Sequence, residues 1–155
     1  MLTKNQIIVR QGRENDSALI YRLILELAKD HNQTEYVKTN ESEIKKAISG
    51  QQDKIGVLVA ELNSQIVGYL SFTWNYSIWN AKEFMALDDL FVNNKFRGME
   101  IGKKLMEKAK ELCINRNVSV IKWEVEMNNE KAIRFYRRLG ATINIKGIFK
   151  WYLTP

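Results

Sequence analysis

Cysteine, proline and histidine are almost absent from this sequence. Its 155 residues include one cysteine, Cys113, one proline, Pro155, and one histidine, His31. A single cysteine cannot close an internal disulfide, and one cysteine with one histidine cannot form a zinc-type ligand cluster. No apolar run approaches the roughly 20 residues that a membrane helix needs, and no apolar signal region follows the N-terminus. We therefore expect a cytoplasmic protein with no metal and no membrane partner.

Positive charge is concentrated in one part of the chain. The net charge is +6, and residues 95–138 carry 12 Lys and Arg against 6 Glu, so the whole excess lies there. This excess fits a polyanionic ligand, for which nucleic acid is one candidate. The tryptophans lie scattered over strand positions without flanking basic pairs, at Trp74, Trp79, Trp123 and Trp151. That pattern favours packing over base stacking, so we expect no nucleic-acid partner.

Hydrophobic periodicity predicts a mixed α/β fold. The length and the apolar fraction of 45% fit a single domain with its own core. Alternating patterns predict strands at residues 6–10, 55–61, 65–74, 82–92, 118–127, 141–145 and 148–153. Helical spacing predicts helices at residues 16–29, 40–48, 101–116 and 130–139. The order indicates a mostly antiparallel mixed sheet of six to seven strands with helices on both faces.

The stretch at residues 86–104 combines a strand, a loop and a helix start. The strand carries two adjacent carboxylates, Asp88 and Asp89, and the loop contains Gly98 and Gly102. Backbone N–H groups at a helix start lack intrahelical partners and bind phosphate, which glycine lets approach closely. Strand alternation predicts that Asp88 and Asp89 point to opposite faces. The stretch therefore predicts a phosphate site beside a carboxylate.

Two segments resemble the GCN5-related N-acetyltransferase (GNAT) superfamily. The first matches the family's Arg/Gln-x-x-Gly-x-Gly/Ala loop and reads Arg97-Gly98-Met99-Glu100-Ile101-Gly102. Residues 129–141 are similar to the family's Asn-x-x-Ala-x-x-Phe-Tyr-x-x-x-Gly-Phe/Ala segment. Within this superfamily, the chain is most similar to the spermidine/spermine and diamine acetyltransferases. The segments that carry this similarity are residues 25–29, Trp79, residues 87–92 and residues 135–138. The resemblance implies a GNAT-like fold and one N-acetyltransferase domain at residues 1–155.

The resemblance also implies an activity. The expected reaction is direct transfer of an acetyl group from acetyl-CoA to a primary amine of a small molecule, with a polyamine or diamine as the favoured acceptor. Acetylation of a protein N-terminus or lysine, an amino acid or an aminoglycoside is the alternative within this chemistry. A non-catalytic relative that binds CoA is a further alternative. Family relatives often form dimers through their C-terminal strands, so we expect a homodimer.

The cosubstrate residues follow from the matched positions. The resemblance implies that the loop cradles the pyrophosphate, that a strand N–H donates to the thioester carbonyl, and that the strand edge pairs with the pantetheine arm. The implied residues are Leu90, Phe91, Val92, Arg97, Gly98, Met99, Glu100, Ile101, Gly102, Lys103 and Asn129. From spacing alone, Asn129 is also a plain helix N-cap.

The resemblance assigns two catalytic roles. An amine with a pKa near 10.4 must lose a proton before it attacks, and Asp88 lies where the polyamine enzymes have their glutamate base. Tyr136 matches the general acid, although its spacing beside Phe135 equally fits a core aromatic. Substrate-binding candidates are Asp88, Glu26, Asp30 and Glu35, whose carboxylates are expected to hold the ammonium groups. Cys113 is expected in the core and His31 on the surface.

Glu100 departs from the family pattern, because glycine is usual at its position. If the position requires a positive φ, glutamate there costs roughly 1 kcal/mol or more, and its carboxylate would lie near phosphate. We therefore expect weakened but retained cosubstrate binding.

Overall fold

The computed structural model describes residues 6–154, which fall into two compact units, Met1–Glu124 and Val125–Pro155. The first unit contains β1 (Ile7–Gln11), α1 (Ser17–Asp30), α2 (Glu41–Gly50), β2 (Ile55–Leu62), β3 (Gln65–Ser77), β4 (Lys82–Val92), α3 (Ile101–Asn115) and β5 (Ile121–Lys122). The second unit contains α4 (Glu130–Arg138). Within the described residues, no helix is long and apolar enough to cross a membrane.

The first unit is built on one five-stranded mixed sheet. Its strand order is β1-β2-β3-β4-β5, with antiparallel pairing from β1 to β4. β5 pairs with β4 in parallel, after the crossover through α3. The mixed sheet and its GNAT-like element order confirm the predicted fold class.

Helices cover both faces of this sheet. Tyr69 of β3 belongs to a buried cluster with Ile20 of α1 and Ile44 of α2. A Cβ on the preceding Gly68 would lie 3.5 Å from Cγ2 of Ile101, at the start of α3. Because successive strand residues point to opposite faces, α1 and α2 lie on one face and α3 on the other.

The sequence-based strand count was too high. The strand predicted at residues 118–127 is reduced to Ile121–Lys122, and residues 141–145 and 148–153 form no strand in the described chain. The side chains of the last segment are exposed, with Phe149 and Trp151 almost fully so. An alternating pattern shows that a strand would have one apolar face. A strand forms, however, only where an adjacent strand can hydrogen-bond to its N–H and C=O groups.

Candidate active site

A β-bulge in β4 places the two adjacent carboxylates. Ser71 of β3 pairs with Asp89, whereas the next residue, Phe72, pairs with Leu87, so Asp88 is the extra residue. An extra residue interrupts the alternation of side chains along a strand. Asp88 and Asp89 consequently line the same cavity, and the expectation that they face opposite ways was wrong.

This cavity of about 340 Å³ lies between the sheet and helices α1 and α2. Most of its wall is apolar, and its carboxylates are Asp88, Asp89 and Glu43. The apolar wall includes Ile20, Ile24, Ile44, Ala47, Ile48, Ile55, Val57 and Phe72. A cation with an attached hydrocarbon chain suits such a lining, because the carboxylates match its charge and the wall matches the chain.

The two aspartates have different surroundings. Partial burial raises the pKa of the Asp88 carboxyl, and the neighbouring Asp89 charge raises it further. Burial is the largest effect at Asp89 and raises its pKa overall, while hydrogen bonds from Tyr69 and Ser71 and the charge of His31 partly offset it. Tyr69 Oη lies 3.4 Å from Asp89 Oδ2. Asp89 therefore has fixed donors in the protein, whereas Asp88 is exposed at the cavity.

The outer edge of β4 is open beyond the bulge. β5 pairs with β4 only at Met85 and Ala86, so residues 87–92 have no neighbouring strand on that edge within the described chain. The Met85 N–H donates outward to Val120 O at 3.0 Å, whereas the Asn93 N–H donates inward to Val67 O at 2.9 Å. Backbone groups of successive strand residues point alternately to the two edges of the strand. Because those of Asn93 point inward, those of Val92 and Leu90 point outward.

Phe91 has the opposite orientation. The same alternation directs its backbone groups toward β3, and its ring is buried in the core against Tyr69. Backbone pairing of Phe91 with a ligand at the outer edge does not fit this orientation, so that expectation is corrected. Leu90 and Val92 keep the orientation that such pairing needs.

The loop between β4 and α3 ends in an anion-binding arrangement. Its Gly98 has a φ of 80° and Glu100 a φ of 60°. The Lys104 N–H donates to Glu100 O at 3.0 Å, so the N–H groups of Ile101, Gly102 and Lys103 precede the first intrahelical hydrogen bond. The Glu100 side chain is 72% exposed, and its Oε1 lies 3.9 Å from Lys103 Nζ. Its carboxylate is thus accessible to solvent while its backbone forms the helix cap.

Carboxylates of α1 hold this loop in place. Asn93 Nδ2 donates to Glu26 Oε2 at 2.7 Å, and Arg97 Nη2 lies 3.3 Å from Asp30 Oδ2. Arg97 Nε also donates to Val92 O at 3.1 Å. Glu26, Asp30 and Glu35 do not line the cavity, and Glu35 lies exposed in the 3-10 turn Thr34–Tyr36. The structure therefore brings only Asp88 of the predicted substrate residues to the cavity.

The second unit carries the remaining predicted residues. Asn129 caps α4, because its Oδ1 accepts a hydrogen bond from the Ala132 N–H at 3.2 Å. Tyr136 lies partly buried on α4, and its ring packs edge-on against Phe135 with centroids 5.2 Å apart. The N-cap role of Asn129 is confirmed, while its contact with a cosubstrate and the catalytic role of Tyr136 stay predictions.

Sequence reasoning missed Tyr69, Ser71 and Glu43 at the cavity. A tyrosine and a serine at alternate positions of a buried strand were the available signal for the first two residues.

Cys113 is buried as predicted, with its Sγ 3.9 Å from Met85 Sδ, and burial raises its pKa to about 11. At that pKa the thiol stays protonated near neutral pH, which argues against a nucleophilic role. Within residues 6–154, no group of three or more His, Cys, Asp or Glu side chains is placed so that it could hold a metal ion.

The fold combines a mixed sheet, an outer edge of β4 that is open beyond Ala86, and a helix start of the kind that binds anions. The model of the acetyltransferase (GNAT) family matches residues 18–141. The chain belongs to this family, as its sequence motifs predicted, and it is an acyltransferase of the N-acetyltransferase type.

Three known proteins illustrate the similarity. A thialysine N-epsilon-acetyltransferase of Mus musculus is 32% identical over 141 residues, covering 86% of this chain and 82% of the relative. A spermidine/spermine N(1)-acetyltransferase-like protein 1 of Homo sapiens is 24% identical over 94% of this chain and 22% of its own length. The crystal structure of an aminoglycoside acetyltransferase from an uncultured soil metagenomic sample shares the fold, with a TM-score of 0.81 and 23% identity over 96% of this chain and 99% of that one.

Proposed function

We propose that this chain transfers an acetyl group from acetyl-CoA directly to a primary amine of a small molecule. The observation that carries the proposal is the bulge of β4, which exposes Asp88 at the cavity. Beyond the bulge, at Leu90, the outer edge of the same strand is open. The same strand runs into the anion-binding loop. The proposed sites for the amine, the thioester carbonyl and the phosphates therefore follow one another along one segment, β4 and the loop after it.

The residues present fit acetyl-CoA as the cosubstrate. Its pyrophosphate matches the N–H groups of Ile101, Gly102 and Lys103. In the described residues other than its chain neighbours, no atom lies within 4 Å of the place that a Cβ on Gly98 would take, which leaves room for a ligand. Its pantetheine amides match the outward backbone groups of Leu90 and Val92. Acetyl-CoA supplies the activated acyl group as a thioester. Arg97, Met99 and Glu100 complete the proposed cradle, and Asn129 is proposed to contact the arm.

Asp88 is proposed to accept the proton of the amine, directly or through water. At pH 7 the ammonium form is favoured by roughly 4 to 5 kcal/mol for an amine with a pKa near 10.4, so a nearby base lowers the barrier. The Leu90 N–H is proposed to donate to the carbonyl oxygen where negative charge develops. Tyr136 is proposed to protonate the departing thiolate.

A diamine or polyamine is the acceptor class that we favour. By their names, one relative acts on thialysine and another on L-ornithine, and a third is named for its likeness to spermidine/spermine N(1)-acetyltransferase. Each of these acceptors carries two or more amino groups on a short chain. The cavity combines an apolar wall with Asp88, Asp89 and Glu43, which suits a short chain with more than one cationic group. Amino acids, aminoglycosides and protein amino groups form the competing acceptor classes.

A panel assay tests the proposed function. The protein is incubated with acetyl-CoA and, separately, with monoamines, diamines, polyamines, thialysine, aminoglycosides and lysine-containing peptides, and release of the CoA thiol is measured. We expect the highest kcat/KM for a diamine or polyamine. Binding of acetyl-CoA without thiol release for any amine would instead support a non-catalytic CoA-binding relative, for which the φ of Glu100 is the specific argument.

The organisation of the active protein is also a proposal. We propose that residues 1–155 act as one N-acetyltransferase domain in a cytoplasmic homodimer. The exposed apolar side chains of residues 148–153 supply a surface of the kind that dimers bury. Light scattering coupled to size-exclusion chromatography tests the dimer, and a monomer at micromolar concentration would contradict it.

A further inference from the structure

Tyr69 is a buried hydroxyl beside the carboxylate pair. Its side chain lies in the middle of β3 with 0% exposure, and its Oη lies 3.4 Å from Asp89 Oδ2. Burial and the charge of Asp89 raise the pKa of Tyr69 far above its usual range, so the group stays a neutral hydroxyl. A neutral tyrosine beside a carboxylate can only donate its hydrogen to it.

The donors at the cavity are distributed unequally between the two carboxylates. Tyr69 and Ser71, two residues apart on the face of β3 that lines the cavity, both hydrogen-bond to Asp89. No such hydrogen bond to Asp88 occurs within the described residues, and Asp88 is the exposed residue of the bulge. Hydrogen bonds to an ionised carboxylate favour its ionised form, so the pair is asymmetric.

We propose that Tyr69, assisted by Ser71, is a positioning residue that keeps Asp89 ionised, so that Asp88 is the member of the pair that exchanges a proton. This inference rests on the proposed function, in which Asp88 accepts the amine proton. Asp89 then acts as a fixed negative charge that holds the incoming ammonium and makes its neighbour more basic. Two adjacent carboxylates thus take different roles because of donors on β3, a neighbouring strand.

Within the described residues, charged and hydroxyl groups from four elements face the carboxylate pair. Asp88 and Asp89 come from β4, Tyr69 and Ser71 from β3, Glu43 from α2, and His31 from the end of α1. The charge of His31, when protonated, favours the ionised form of Asp89 and so acts in the same direction as Tyr69. Glu43 adds negative charge to the cavity wall. These contributions are the same for the intact protein and for a variant that lacks only the Tyr69 hydroxyl.

Carbon-13 NMR of aspartate carboxyls tests the proposal without any turnover. The protein, labelled at aspartate carboxyl carbons, is titrated, and the two resonances are assigned with Asp88→Asn and Asp89→Asn. In the unsubstituted protein, Asp89 should ionise at lower pH than Asp88. In Tyr69→Phe, the midpoint of Asp89 should move upward and overlap that of Asp88, because the proton is then shared. Ser71→Ala should move Asp89 in the same direction.

Tyr76→Phe is the matched control, because Tyr76 lies on the same strand and is 62% exposed. It should leave both midpoints unchanged. An unchanged Asp89 midpoint in folded Tyr69→Phe, or in Ser71→Ala if Tyr69→Phe does not fold, would overturn the proposal. A midpoint of Asp89 above that of Asp88 in the unsubstituted protein would overturn it as well. Failure of the amine panel would reject the proposed function but would leave this titration result intact.

Discussion

Glu100 adopts a left-handed backbone conformation in which a side chain is costly. At the cap of α3 its φ is 60° and its ψ is 17°. Glutamate thus replaces the family's usual glycine at a position whose positive φ favours glycine. Two separate effects follow from one residue. The backbone strain lowers the stability of the protein, whereas the carboxylate places negative charge at a site that we propose for phosphate.

Replacing Glu100 by glycine should remove both effects. We expect Glu100→Gly to raise the free energy of unfolding by about 1 kcal/mol and to lower the Kd for acetyl-CoA. Chemical denaturation and calorimetric titration measure the two quantities. Glu100→Gln is the matched control, because it removes the charge and keeps the side chain, so it should tighten binding without the gain in stability. A Glu100→Gly protein no more stable than the parent would contradict the strain argument.

Tyr136 should act on turnover and not on affinity. Tyr136→Phe removes the hydroxyl that we propose as the proton donor to the thiolate, while its ring still packs on Phe135. We expect kcat to fall roughly 100-fold with little change in the Kd for acetyl-CoA, as is typical for loss of a general acid. Steady-state kinetics and titration separate the two. Tyr36→Phe is the control, because Tyr36 is exposed and has no proposed role. A weaker Kd with an unchanged kcat would place Tyr136 in binding instead.

At the scale of elements, α1 supports the loop that follows β4. Glu26 and Asp30 are one helical turn apart, so both carboxylates reach the loop from one face of α1. We propose that these residues position the loop, whereas the sequence-based expectation is that they bind ammonium groups. The arrangement connects the helix that lines the cavity with the loop proposed for phosphate.

Glu26 variants distinguish the two roles. Glu26→Ala removes the acceptor for Asn93 and should raise the Kd for acetyl-CoA about fivefold, which corresponds to one hydrogen bond of roughly 1 kcal/mol. Glu26→Gln keeps an acceptor oxygen and should bind acetyl-CoA nearly as well as the parent. If Glu26 instead holds the amine, both variants would raise the KM for the amine and leave the Kd for acetyl-CoA unchanged.

Elements differed in how far the sequence predicted them. Helices α1 and α3 and strands β2 to β4 were predictable because their apolar side chains recur with one clear period. The bulge at Asp88 was not predictable, because it depends on the register with β3 and not on the residues of β4 alone. The strands at residues 141–145 and 148–153 were predicted wrongly, because an alternating pattern does not show whether a partner strand is available.

The candidate site could likewise be predicted only where its residues lie close together in the sequence. Local motifs predicted the loop at residues 97–103 and the carboxylate Asp88, since both lie in one continuous segment. Tyr69, Ser71 and Glu43 reach the cavity from β3 and α2, so only the tertiary fold brings them there. The contacts of Glu26 and Asp30 with the loop also join positions more than 60 residues apart.

For the whole molecule, the pair of aspartates should set the acid limit of activity. Asp88 must be ionised to accept a proton, and both burial and Asp89 raise its pKa. The rate should therefore fall, as the pH drops, at a midpoint above the ordinary aspartate value of about 3.9. Asp89→Asn removes the neighbouring charge and should lower this midpoint. The pH dependence of kcat/KM measures it, and an ordinary midpoint that Asp89→Asn does not change would contradict this account.

The most direct test of the proposed reaction is to identify its product. The protein is incubated with acetyl-CoA and a short diamine, and mass spectrometry of the amine is combined with quantitation of free CoA thiol. The account predicts one acetyl group added to the diamine for each thiol released, with the rate strongly reduced in Asp88→Asn. Thiol release without an acetylated amine, or an unchanged rate in Asp88→Asn, would contradict it.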